Sequence, residues 1–265
     1  MIGIFDSGIG GLSVLAAIVR AMPDADLTYL ADTAHVPYGP KSEEFIRGRV
    51  LTIGRHLAEV GCDTLVLACN TATATAIEAL RAAHPDLTII GVEPGVKPAV
   101  ASSKSRRIAV LATEATARSA SLARLIQMHA GEVHVHVEAC PGWARRIETL
   151  DPFDAHSDPH FAAEVAGKLL PLLDTGADRI VLGCTHYSFL ATLLEPLIAG
   201  RAELVDVDTA VARQVARLAS HEAHGNGRLR LLSTARPERL HAALPALGLH
   251  RLIPRIDGAA QQIHL

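Results

Sequence analysis

The sequence predicts an α/β fold in which parallel sheets are covered by helices, and three observations predict it. Short apolar runs of four or five residues alternate with longer amphipathic stretches rich in Ala and Leu. Most of the short runs are bounded by Gly, Asp or Pro. Two of the βα stretches also align with each other without a gap. Regular β–α alternation is the pattern of parallel strands joined by crossover helices, with both faces of each sheet buried.

Taken in order, the first strand is expected at 2–5, ahead of a Gly-rich turn that opens a helix. The second, 27–30, runs towards Asp32; the third, 64–68, delivers Cys69-Asn70-Thr71; the fourth is 88–92. Residues 98–107, with Ser102, Ser103, Lys104 and Ser105, read as a linker. Beyond it, strands are expected at 108–112, 133–137, 179–183 and 204–207. The aligned pair is Asp63-Thr-Leu-Val-Leu-Ala-Cys69-Asn-Thr with Asp178-Arg-Ile-Val-Leu-Gly-Cys184-Thr-His. A weaker pair, 2–13 with 108–119, sets Ser7 opposite Thr113. Two βα halves related by approximate two-fold symmetry, each with a Cys at a strand end, explain both.

Composition narrows the class. The chain has 265 residues, 49% hydrophobic and 20% charged, enough for a sizeable core and too apolar for disorder. Basic residues number 25 against 28 acidic ones, so no positive excess points to nucleic acid. Five Phe, three Tyr and one Trp make a poor base-stacking platform. No apolar run nears the ~18 residues of a membrane span. Met1 leads into Ile2-Gly3-Ile4-Phe5 without a basic stretch, so no secretory signal is expected and the expected compartment is the cytoplasm.

There the four cysteines, Cys62, Cys69, Cys140 and Cys184, are expected to be reduced. No C-x-x-C occurs, and Cys184-Thr185-His186 is too small a fragment to predict a metal site. In α/β sheets ligands bind beyond the carboxyl ends of the strands. Five polar clusters fall there: Asp6-Ser7-Gly8, Asp32 with Tyr38-Gly39, Cys69-Asn70-Thr71, Thr113 with Thr116, and Cys184-Thr185-His186. Each alone reads as a turn that caps the next helix. Together they suggest a pocket for a small polar anion, with helices after Asn70 and Thr185 aiming N–H groups into it.

Gly8-Ile9-Gly10-Gly11-Leu12-Ser13 is close to a dinucleotide fingerprint, but Ser13 stands where the third small residue belongs. Asp6 would also repel a pyrophosphate. Ser7 lacks the G-x-S-x-G frame of a hydrolase elbow. Cys69 and Cys184 fit a different chemistry. A thiol titrates near pH 8.5, so a modest shift makes it a base at neutral pH. Two thiols across a cleft can take a proton from one face of a carbon and return one to the other. The alternative is two ordinary buried cysteines, the reading that suits Cys62 and Cys140.

The chain resembles the glutamate racemases of the cofactor-independent aspartate/glutamate racemase superfamily. The resemblance rests on 3–11 (Gly-Ile-Phe-Asp-Ser-Gly-Ile-Gly-Gly), Tyr29-Leu-Ala-Asp32, 37–42 (Pro-Tyr-Gly-Pro-Lys-Ser), Ala68-Cys69-Asn70-Thr71-Ala72, Gly91-Val92-Glu93-Pro94 and Gly183-Cys184-Thr185-His186-Tyr187. It covers 1–220; the tail carries little of it. Ala112, where Gly often precedes the Thr113 motif, and Gly142-Trp143, in place of an apolar pair, depart from the family pattern.

The resemblance implies interconversion of L- and D-glutamate, supplying D-glutamate for peptidoglycan, with no cofactor. It makes Cys69 and Cys184 the proton-transferring residues, assisted by Asp6 and His186 respectively. Asp32 and Glu148 match further acidic positions of less settled role. Asp6, Ser7, Tyr38, Gly39, Asn70, Thr71, Thr113, Thr116, Thr185 and His186 match positions that hold the substrate. It also implies two similar, mostly parallel α/β domains, 1–97 plus 207–265 and 98–206, with the site in the cleft between them. A homodimer is expected, with no nucleic-acid or membrane partner.

Three rivals stand beside this. One is aspartate or another amino acid as substrate on the same scaffold. A second is a non-catalytic binding protein, which retention of both cysteines disfavours. A third is a pyridoxal-phosphate racemase, but none of the four lysines (Lys41, Lys97, Lys104, Lys168) sits at a strand end with a phosphate cup.

Overall fold

The computed structural model describes residues 1–150, 157–219 and 225–265. The first sheet begins with β1 (Ile2–Asp6), β2 (Leu27–Ala31), β3 (Thr64–Leu67) and β4 (Thr88–Gly91), joined by α1 (Leu12–Ala21), α2 (Glu43–Glu59) and α3 (Asn70–Ala83). The chain crosses through α4 (Val96–Ser102) to a second sheet of β5 (Arg107–Ala112), β6 (His134–Ala139), β7 (Arg179–Gly183) and β8 (Glu203–Val205). Around it lie α5 (Glu114–Arg118), α6 (Ala120–His129), α7 (Trp143–Thr149), α8 (Pro159–Asp174) and α9 (Ala191–Ile198). After α10 (Asp208–Leu218) the chain returns to the first sheet with β9 (Leu229–Ser233), α11 (Pro237–Ala246) and β10 (Gln261–Gln262).

The sheet orders are β10-β9-β2-β1-β3-β4 and β6-β5-β7-β8, and every strand pairing among the described residues is parallel. The run β2-β1-β3-β4 therefore recurs as β6-β5-β7-β8. This repeat of topology is the one visible in the sequence: β1 and β5 occupy equivalent central places, as do β3 and β7. Ser7 and Thr113 follow the first pair, and Cys69 and Cys184 follow the second. Central strands in both sheets are buried on both faces, which is why they read as continuous apolar runs instead of alternating ones.

Small polar residues cap several of the helices. Ser42 Oγ accepts from Phe45 N–H to cap α2, and Asp158 caps α8 with Pro159 in its first turn. One apolar cluster runs through both halves, from Leu12, Leu15 and Tyr29 to Leu111, Tyr187 and Leu240. Trp143 is fully buried in it, edge-on to Tyr187 at 5.4 Å and to Phe161 at 6.1 Å. The unusual Gly142-Trp143 pair is thus a packing feature, with Gly142 at φ 81° turning the chain so that Trp143 enters the core. Such a side chain contributes roughly 1.5–3 kcal/mol by burial.

Two expectations need correction. The linker expected over 98–107 is mostly structured: α4 runs to Ser102 and β5 starts at Arg107. Its serines serve the fold, since Ser103 Oγ donates to Asp178 Oδ1 at 2.7 Å and Arg179 Nε donates to Ser102 Oγ at 2.9 Å. The helix expected after Thr185 is a short 3₁₀ helix, Thr185–Leu190, with poorer hydrogen-bond geometry than the 14-residue α3.

Candidate active site

The carboxyl ends of β1, β3 and β7 bring three of the five predicted clusters together. Asp6, at the end of β1, is completely buried. Its Oδ1 accepts from Gly8 N–H at 2.9 Å and Ser7 Oγ at 3.1 Å, and its Oδ2 accepts from Thr185 Oγ1 at 2.9 Å. Burial raises its pKa above the usual carboxylate value, although His186 and these donors pull the other way.

Cys69 is the N-cap of α3, its Sγ accepting from Ala72 N–H at 3.5 Å and facing Ser7 Oγ at 3.9 Å. Burial, and then the nearby Asp6, push its thiol well above the ordinary range. Cys184 Sγ instead lies 3.8 Å from His186 Nδ1. His186 Nε2 lies 2.7 Å from Glu148 Oε1, which also accepts from Ile9 N–H at 2.6 Å. Burial disfavours a charge on His186, but its bonds to Cys184 and Glu148 outweigh it and raise its pKa well above the ordinary value. One thiol therefore has the Asp6 carboxyl group for its neighbour and the other the His186 imidazole ring. Burial pushes the thiols of Cys62 and Cys140 up to about 11 and about 12.

The Gly-rich turn has a role unrelated to phosphate. A Cβ at Gly8 would stand 1.8 Å from Glu148 Oε1, one at Gly10 2.4 Å from His186 Nδ1, and one at Gly11 2.8 Å from Asp6 Cβ. Gly8 and Gly10 let the first half press against Glu148 and His186 of the second, while Gly11 makes room for Asp6 within the first.

A hydroxyl cluster lies between the halves. Thr71 Oγ1 is 3.0 Å from Thr113 Oγ1 and 3.4 Å from Thr116 Oγ1, and Thr113 also caps α5. All three threonines are buried, and their rotatable hydroxyls can turn from one another towards a carboxylate. Gly39 abuts the cluster, with room for a Cβ only 3.3 Å from Thr113 Cβ. Asn70 Nδ2 donates to Val92 O at 3.1 Å.

Tyr38 and Asp32 are joined in a network beyond the end of β2. Asp32 is completely buried and accepts from Tyr38 OH at 2.7 Å, Thr234 Oγ1 at 2.8 Å, and Arg49 at 3.0 and 2.8 Å. These bonds tie Tyr38 and Asp32 to Arg49 of α2 and to Thr234 after β9. Sequence reasoning missed three contributors: Ile9 through its backbone, Tyr29, whose hydroxyl donates to Gly8 O at 2.7 Å, and Arg239. Ile9 and Tyr29 lie in the motifs 3–11 and 29–32 given above; Arg239 carries no sequence signal. A cavity of about 380 Å³ opens beside Ile9 and Glu148, with Lys41, Arg145, Arg236 and Arg239 in its wall.

The family model for Asp/Glu/Hydantoin racemase matches residues 2–215. The chain belongs to this racemase family. The racemase is 44% identical over 250 residues to a glutamate racemase of Pseudomonas aeruginosa, covering 93% of each chain. It is similar to a glutamate racemase isoform of Bacillus anthracis with a TM-score of 0.85 at 28% identity, covering 100% of this chain and 97% of that one. The Escherichia coli glutamate racemase solved with L-glutamate and the activator UDP-MurNAc-Ala gives a TM-score of 0.81 at 32% identity, with 93% of each chain covered. The racemase is accordingly an isomerase, and its two mostly parallel sheets match the fold of these neighbours. Among its described residues, no helix is long and apolar enough to cross a membrane.

Proposed function

We propose that the chain interconverts L- and D-glutamate by proton transfer at Cα between two thiols, Cys69 and Cys184, without a cofactor. The observation that carries this reading is the equivalence of the two cysteines, each one residue or two beyond a corresponding central strand of two repeated sheets. Relatives named glutamate racemase, one of them solved with L-glutamate, support the choice of substrate. By the family pattern Cys184 takes the proton from L-glutamate while Cys69 delivers one to the opposite face; D-glutamate reverses the roles. Asp6 assists Cys69, and His186 assists Cys184. The substrate's carboxylates fit the hydroxyls of Ser7, Thr71, Thr113 and Thr116 and the N–H groups at the start of α3. Each hydrogen bond to a charged group is worth roughly 1.5–3 kcal/mol.

On this reading the enzyme works in the cytoplasm as a homodimer and feeds peptidoglycan synthesis. Its domains are 1–97 plus 207–265 and 98–206, a division supported by the return of β9 and β10 to the first sheet. Polarimetry on each glutamate enantiomer without added cofactor tests the proposal, with both aspartate enantiomers as controls. Both glutamates should run to a racemate, and L-glutamate in D₂O should yield D-glutamate deuterated at Cα. Turnover of aspartate alone, or product that keeps its original hydrogen, would overturn it.

A further inference from the structure

Glu148 is reached from three parts of the chain. Its carboxylate holds Ile9 N–H and His186 Nε2, while its backbone carbonyl accepts from Arg239 Nη2 at 3.1 Å. The same Nη2 donates to Leu150 O at 3.3 Å. Arg239 belongs to α11, in the segment that returns to the first sheet, whereas Glu148 lies in the last turn of α7 beside the second. The last carbonyls of a helix have no partner within it and carry partial negative charge, so a guanidinium there both bonds and neutralises them. The entry to α11 is itself held in an unusual state. Arg236 has φ 49°, a left-handed conformation that a non-glycine residue before proline resists. Such strain persists only where the surroundings enforce it.

We propose that Arg239 is a positioning residue for the Cys184 half of the site: it clamps the carboxyl end of α7 so that the Glu148 carboxylate stays on His186 and Ile9. The inference rests on the proposed role of Cys184 and His186, and it links a tail with little family signature to the reacting centre. The fit around Glu148 is tight, because even a Cβ at Gly8 would collide with Oε1. A small rotation of α7 would therefore break the contact with His186 instead of being absorbed. The charged and titratable groups that face His186 are Cys184 beside it in sequence, Glu148 from α7 and Asp6 from β1. Loosening Glu148 removes one of the two bonds that favour the imidazolium and leaves burial and Cys184 to decide.

The test follows the His186 ring by NMR titration, with its signal assigned by loss in His186→Gln. Arg239→Ala should move the midpoint down by about one pH unit. It should also lower kcat/KM for glutamate about tenfold. Arg239→Lys, which keeps a cation at the helix end, should recover most of both. In a Glu148→Gln background Arg239→Ala should add no further shift, because the two act through one contact. A midpoint unchanged in Arg239→Ala, or a shift of equal size in the Glu148→Gln background, would overturn the proposal. The titration needs no substrate, so its outcome is separate from whether the wild-type protein racemises glutamate.

Discussion

Thr185 Oγ1 donates to Asp6 Oδ2 at 2.9 Å and so joins the carboxyl end of β7 to that of β1. The bond crosses from one repeated half to the other. It gives a fully buried carboxylate a donor from each half, since Gly8 N–H and Ser7 Oγ supply the rest. The pairing of Asp6 with Cys69 therefore depends on the second half being seated against the first.

Removing that donor should cost both activity and stability. Thr185→Val keeps the shape but leaves Asp6 Oδ2 unpaired in the interior, a loss of about 1–3 kcal/mol. Urea denaturation should show that loss, and kcat/KM for glutamate should fall about tenfold or more. Wild-type kinetics in the variant would remove this bond from the working site.

Asp32 should behave as a structural residue. It is buried beneath Arg49, Tyr38 and Thr234, so Asp32→Ala leaves the guanidinium and two hydroxyls without their shared acceptor. Breaking a buried pair in this way costs about 3–5 kcal/mol. Thermal and urea unfolding should register that cost. A variant as stable as the wild type but inactive would instead make Asp32 an acid or base of the reaction.

A carboxylate away from the site sets a pH dependence of stability. Burial first, and then Asp206, raise the pKa of Asp208 from 3.8 to about 6, against a bond from Ser13. A group held above its unfolded value contributes stability below that value and loses it as pH rises through the folded one. The contribution of Asp208 is therefore present below pH 3.8 and gone above about 6. Asp208→Asn should be more stable than the wild type at pH 8, with the gap closing by pH 4, as read from urea midpoints. A gap that widens on acidification would contradict this setting for Asp208.

Much of this was legible in the residues. Strands β1 to β8 are legible because apolar runs bounded by turn residues have few other solutions in an α/β chain; β7 has the expected bounds and the ends of the others differ by at most two residues. β9 was missed because Arg230 interrupts an otherwise apolar run, and β10 because two exposed glutamines at a sheet edge carry no apolar signal. The cysteine repeat marked the ends of β3 and β7, which the structure places in equivalent positions of the two sheets. The network around Asp32 could not be read from the sequence, because Arg49 and Thr234 reach it from distant parts of the chain. Nor could Arg239, which reaches Glu148 O and Leu150 O from α11, about 90 positions away in sequence.

The most direct test of two-thiol proton transfer uses Cys69→Ser and Cys184→Ser with a glutamate analogue that bears a leaving group at Cβ. Racemisation needs both thiols, so either change should abolish it in both directions. Elimination needs only one deprotonation and is irreversible, so it reports each thiol alone. Cys69→Ser should still process the L-analogue through Cys184, and Cys184→Ser the D-analogue through Cys69. If either variant racemised glutamate at the wild-type rate, or both lost elimination of both enantiomers while remaining folded, the two-thiol account would be contradicted.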